Sequence, residues 1–149
     1  MNTTPWLDER QLEAWKNFVA VVERLPGMLD SQLQRDADLS HFEYYLLAML
    51  SEAPSRTLRM SHLADATNAT PPRLSHVVAR LEKRGLVERT PCPEDRRATN
   101  ATLTDAGWEK VRATAPGHVQ NVHELVIAKL TPEQLDQLGE ISAALLRRD

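Results

Sequence analysis

Three side chains with hydrogen-bonding heads, Arg73, Ser75 and His76, stand at the start of a segment whose apolar residues are Leu74, Val77, Val78 and Leu81. That i, i+3, i+4, i+7 spacing predicts a helix with a single inward face. At about 100° per residue, Pro72, His76, Ala79 and Lys83 point away from the core. Arg73 and Arg80 fall on one flank, Ser75 and Glu82 on the other. Arginine can give two hydrogen bonds to guanine O6 and N7, and serine or histidine can bond a base edge or a phosphate. Arg80, Lys83 and Arg84 suit phosphates or ion pairs within the domain. Further along, Pro93-Glu94-Asp95-Arg96-Arg97 carries two arginines that fit the enhanced negative potential of a narrow minor groove. Asp95 would be repelled by a phosphate if free, so its expected task is to hold an arginine extended.

The elements around these groups must bring a helix and a hairpin tip to one surface. Ser61 is expected to cap a short helix through Leu63, Ala64 and Thr67, after a short strand at Leu58-Arg59-Met60. Thr70 with Pro71 at the first helical position starts the next helix, which ends at Gly85, so the two form a helix-turn-helix. Leu86–Thr90 and Ala98–Leu103 read as hairpin arms flanking the charged tip. A helix can enter a major groove while such a hairpin reaches the neighbouring minor groove. The expected fold class is mainly α, an α+β winged helix-turn-helix lobe over residues 54–104 within one domain of 1–149.

Helical segments lie on both sides. Residues 7–36 carry the stripe Leu12, Trp15, Phe18, Val19, Val22, Leu25, Met28, Leu29 and Leu33, with a kink or break expected at Pro26-Gly27. Ser40-x-x-Glu43 is a capping box for a helix that stops at Ala53-Pro54. Thr104 caps a long helix through Leu130, disturbed at Pro116-Gly117, and Thr131-Pro132-Glu133-Gln134 opens a last helix with Leu135, Leu138, Ile141, Leu145 and Leu146. A helix of about 25 residues spans roughly 37 Å, more than a small winged helix can cover. Residues 7–36 and 105–149 are therefore expected to form a dimerisation region.

Composition excludes several classes. At 42% hydrophobic and 26% charged residues the chain is globular and not disordered. No apolar run reaches the roughly 18 residues that span a membrane, and the N-terminus does not read as a signal peptide. One cysteine, Cys92, leaves no internal disulfide framework and fits a reducing cytoplasm. The net charge of −3 averages a +4 stretch from Arg56 to Arg97 with a −7 remainder. Phosphates feel the local field within a Debye length of roughly 8–10 Å, so this balance permits DNA binding. No nucleophile with a base and no Gly-rich phosphate loop supports an enzyme. His118 and His123 are spaced poorly for one helical face, so no metal site is expected, and no cofactor. Candidate ligand-binding residues near the junction of lobe and outer helices are Trp15, Phe18, His41, Tyr44, Tyr45 and His118.

Segment 58–107 resembles the multiple-antibiotic-resistance regulator (MarR) family. The resemblance rests on Leu63-Ala64, the run Leu74 to Arg89, and Asp95-Arg96-Arg97 followed by Leu103-Thr104-Asp105-Ala106-Gly107. Its Asp-x-Arg wing and following Leu-Thr pair are met by Asp95, Arg97 and Leu103-Thr104. The resemblance implies a cytoplasmic, nucleoid-associated homodimer that binds double-stranded DNA at a pseudo-palindromic operator. It commonly represses and is released by a small phenolic or other aromatic effector. The wing role is carried to Arg97 with Asp95 in support, and base reading to Ser75 and His76, although the family often has arginine where His76 stands. Two alternatives stay open: an architectural DNA binder without an effector, and a protein-interaction winged helix.

Overall fold

The computed structural model describes residues 3–147. Six helices and three strands follow one another as α1 (Glu9–Ala37), α2 (His41–Glu52), β1 (Thr57–Arg59), α3 (Met60–Ala66), α4 (Pro71–Lys83), β2 (Val87–Pro91), β3 (Thr99–Leu103), α5 (Asp105–Leu125) and α6 (Pro132–Leu146). Short 3₁₀ turns at Pro54–Arg56 and Ile127–Lys129 join them.

Local chemistry sets most boundaries. Ser40 and Glu43 satisfy each other's backbone N–H groups at the start of α2, and Thr131 and Gln134 do the same for α6. Thr70 accepts from the Arg73 N–H and Thr104 from the Gly107 N–H. Asp8 with Gln11 forms a further capping box at α1. Gly85, with φ of 75°, takes the left-handed conformation that lets the chain leave α4 and enter β2.

Two expectations are corrected, the end of α5 and the cap of α3, and the reading of the two prolines is narrowed. At Pro26-Gly27 the outcome is not a break, since α1 continues through it as one helix, and α5 likewise continues through Pro116-Gly117. Both prolines sit on exposed helix faces, where the carbonyl deprived of its N–H partner can be hydrated. Helix α5 stops at Leu125 and does not reach Leu130. Ser61 does not cap α3: Arg59, still paired in β1 with Asn100, is the residue before the helix, which leaves Ser61 inside the first turn.

The sheet is antiparallel with order β1-β3-β2. Alternation along β3 turns Ala101 and Leu103 inward. They close a core with Leu33, Leu39, Leu46, Leu47, Leu50, Leu63, Leu74, Val78 and Leu81. Gly107 sets how closely α5 approaches this sheet, because a Cβ there would collide with the Leu86 carbonyl and the Leu103 side chain. The outer helices differ. Leu12, Trp15, Phe18, Val21, Val22 and Met28 on α1 are exposed, as are Leu135, Leu138, Ile141, Leu145 and Leu146 on α6. Among the described residues no helix is long and apolar enough to cross a membrane.

Candidate nucleic-acid interface

Helix α4 buries Leu74, Val77, Val78 and Leu81, as its spacing predicts. Arg73, Ser75, His76, Arg80 and Lys83 are exposed on the opposite surface, while Ala79 is half-buried. The Arg73 guanidinium does not extend freely. It lies over the Phe42 ring of α2, 4.1 Å from the centroid, a stacking that fixes its position. Such a contact crosses from one helix to another and leaves no mark in local sequence. Arg84 turns inward: its Nη1 donates to the Asp38 carbonyl at 2.9 Å, and Asp38 and Glu43 carboxylates lie 3.8 and 3.9 Å away. It fastens α4 to the α1–α2 turn and is an ion-pairing residue of the domain.

The hairpin tip is built as its charges suggest. Cys92 N–H donates to the Ala98 carbonyl and Ala98 N–H to that of Asp95, closing the loop. Asp95 Oδ1 accepts from the Arg97 backbone N–H at 3.1 Å and lies 3.5 Å from Arg97 Nε. Arg97 is 94% exposed, so this carboxylate biases the direction of an otherwise free side chain. Arg96 is exposed beside it. At the base of the wing, Glu82 accepts from the Arg89 backbone N–H, Nε and Nη2 at 3.0, 3.2 and 3.0 Å. Hydrogen bonds from the Arg89 backbone and side chain hold the Glu82 carboxyl below its ordinary range. The pair ties the C-terminal end of α4 to β2 at the base of the wing.

Between them lies an open cleft of about 470 Å³ lined by Arg59, Met60, Ser61, Ser75, Arg89, Arg97, Ala98 and Thr99. Sequence reasoning named only Ser75 and Arg97 of these as contacts. Arg59 and Arg89 come from β1 and β2, which the sheet brings together, and Ser61 from the start of α3, which follows β1 directly. Cys92 is buried behind the wing. Backbone N–H groups of Glu94 and Asp95, with the Arg59 guanidinium, draw its thiol pKa below the ordinary value against the effect of burial.

The candidate ligand residues divide into two places. His41, Tyr44 and Tyr45 of α2 meet His118 of α5, with ring centroids 5.7 Å apart for His41–His118, 4.5 Å for Tyr44–His118 and 6.1 Å for His41–Tyr45. The His41 N–H donates to Asp30 Oδ1 of α1. Burial lowers both histidine pKa values, with Asp30 opposing it at His41 and His41 adding to it at His118. Burial also raises that of Tyr44. His118 Nδ1 and Gln32 Oε1 are buried without hydrogen-bond partners. Trp15 and Phe18 instead stack on each other, 6.3 Å apart, in the exposed stripe of α1.

Comparison with known proteins gives this surface its context. A MarR family model matches residues 37–98. Sco3205 of Streptomyces coelicolor, a MarR family transcriptional regulator crystallised in complex with DNA, is 47% identical over 95% of this chain and 89% of its own, with a TM-score of 0.93. AbsC of the same organism, also a MarR family transcriptional regulator, is 38% identical over 95% of this chain and 98% of its own, with a TM-score of 0.89. The transcriptional repressor MprA of Escherichia coli K12 is 31% identical over 105 residues, 70% of this chain, and the match spans 59% of MprA's length. With the winged helix in place and such relatives matched over almost their whole length, the chain belongs to the MarR family of transcriptional regulators.

Proposed function

We propose that the protein is a homodimeric transcriptional repressor that binds double-stranded DNA at a pseudo-palindromic operator. One observation carries the reading: the exposed face of α4 and the Asp95-ordered Arg97 of the wing are fixed on a single basic surface by the Glu82–Arg89 clamp. Ser75 and His76 read base edges in the major groove, Arg97 with Arg96 enters the adjacent minor groove, and Arg80 and Lys83 meet phosphates. Arg73, braced by Phe42, approaches the groove from the α2 side. Two such surfaces on one duplex require a dimer, which the exposed apolar stripes of α1 and α6 supply. The DNA complex of Sco3205, similar over nearly the whole chain, supports the same use of the same lobe.

The ring cluster of His41, Tyr44, Tyr45 and His118 is the seat for a small aromatic or phenolic effector. It lies where α1 and α5 meet α2, so a ligand there can change how the lobe hangs from the dimer helices. The unpartnered His118 Nδ1 gives a phenolic hydroxyl something to bond.

Selection of bound duplexes from a random pool tests the central claim. A symmetric consensus with half-sites about one helical turn apart is expected, with affinity that falls as salt rises. Affinity that ignores salt would reject phosphate contact. Screening phenols by thermal shift, with operator release as the second readout, separates an effector-controlled repressor from a constitutive binder.

A further inference from the structure

We propose that the first turn of α2, His41 to Tyr45, is the positioning element of the DNA-reading helix, with Phe42 and Glu43 holding the two ends of α4 through Arg73 and Arg84. The inference rests on the DNA-binding reading above and deepens it. The same turn carries the ring cluster, so a change at the rings reaches α4 directly.

The contacts of consecutive residues supply the first reason. The His41 N–H donates to Asp30 of α1, and its ring stacks on His118 of α5. Phe42 lies beneath the guanidinium of Arg73, in the first turn of α4. Glu43, only 4% exposed, faces Arg84 at the C-cap of the same helix. Tyr44 meets His118 again, and the Tyr45 hydroxyl donates to the Ala66 carbonyl at the end of α3. Ser40 and Glu43 lock this turn as a capping box, so its residues move together.

Helix geometry supplies the second. Arg73 and Arg84 sit about three turns apart, roughly 16 Å along α4 and within about 20° of each other around it. The buried stripe of Leu74, Val77, Val78 and Leu81 sets how deep α4 lies but constrains its roll less. Roll is what aims Ser75 and His76. With side-chain tips about 6 Å from the axis, a roll of about 10° moves them by about 1 Å, enough to take a hydrogen bond out of range. Contacts on the two flanks set that angle: Arg73 and Arg84 toward α2 on one side, Glu82 with Arg89 of β2 on the other.

Phe42 and Glu43 are thus positioning residues that act through the two arginines. Coupling between sites is reciprocal, so a duplex that fixes the roll of α4 must also alter the rings.

The test follows the histidine rings by NMR in the full-length protein, at one pH, with and without a saturating selected duplex. Wild type, Phe42→Leu, Phe42→Tyr and Arg84→Gln are compared, and His123, exposed on α5, reports the general field of the DNA. Duplex should shift the His41 and His118 signals beyond that of His123 in the wild type and in Phe42→Tyr, which keeps a ring beneath Arg73. Those shifts should fall to less than half in Phe42→Leu and in Arg84→Gln. Phe42→Leu should also bind the selected duplex about two- to fivefold more weakly, the loss of one exposed cation–π contact, and tyrosine should restore it.

His41 and His118 signals that ignore the duplex in the wild type overturn the proposal. So do shifts that persist undiminished in Phe42→Leu and Arg84→Gln. If Phe42→Leu melts early, Arg84→Gln alone decides. A wild type that shows no salt-dependent duplex binding refutes the functional reading itself, a different and recognisable failure.

Discussion

The DNA-facing lobe and the outer helices solve the burial problem in opposite ways. In the lobe, leucines from α1, α2, α3 and α4 close on β3 until ten large side chains are essentially inaccessible. In α6 no residue is buried at all, and the first half of α1 exposes a stripe from Leu12 to Val22. Both regions carry helical stripes of apolar residues. The difference is where the partner surface lies: within the same chain for the lobe and, in the proposed dimer, in a second copy for the outer helices. Regular periodicity therefore establishes that a face must be buried, not by what.

The largest effect that could break this contrast lies in the outer helices. Replacing Leu138 and Ile141 together with aspartate should convert the dimer to monomer by sedimentation. Operator affinity should then fall on the order of 10²–10⁴-fold as the second lobe loses its tether. A variant that stays dimeric would place the interface elsewhere. Next is the lobe itself. Leu81→Ala, at a fully buried site, should cost about 2–5 kcal/mol in denaturant titration. It should cost nearly as much in the monomeric background; a cost that vanishes there would show that the lobe is not self-supporting.

How much of this was legible in advance depends on range. The caps at Ser40, Thr70, Thr104 and Thr131 are contacts across three residues, so they are visible in sequence and stand in the structure. The buried face of α4 follows from its spacing alone, and Asp95 meets Arg97 across two positions. Pro26 and Pro116 left kink and break open because their cost depends on which way the orphaned carbonyl faces, which the tertiary arrangement decides. Arg73 on Phe42 and the cleft of Arg59, Ser61 and Arg89 join residues from separate elements, and no local pattern announces them.

Within the lobe, helix and wing should be separable by specificity. Ser75→Ala should cost about 1–3 kcal/mol on the selected duplex and little on a scrambled one. Arg97→Ala should weaken both and flatten the salt slope by about one. If Ser75→Ala lowers all affinities equally, its hydroxyl belongs to a phosphate and the base-reading role rests on His76.

The smallest effect falls on the seam between the two regions, where His41 and His118 stack. Burial lowers both pKa values in the folded protein below the ordinary value near 6.5, so the unfolded chain takes up protons first on acidification. Folding stability from these rings is then complete above about pH 6.5 and is lost as pH falls through their folded values. The carboxyls of Asp36 and Glu82, held low by hydrogen bonds from Gln32 and Arg89 respectively, lose their contribution only at more acidic pH, from the ordinary carboxylate range downward. The two windows can therefore be told apart in one melting series from pH 8 to 3. The wild-type midpoint should hold to about pH 6.5 and then decline before the carboxylate limb begins. A His41→Gln, His118→Gln double variant should lose only the first decline, since glutamine is neutral throughout. If both proteins decline alike from pH 6.5, the stacked histidines are not the groups that titrate at the seam. A ligand seated against His118 should deepen the first decline, because it binds the neutral ring and is expelled as that ring gains its proton.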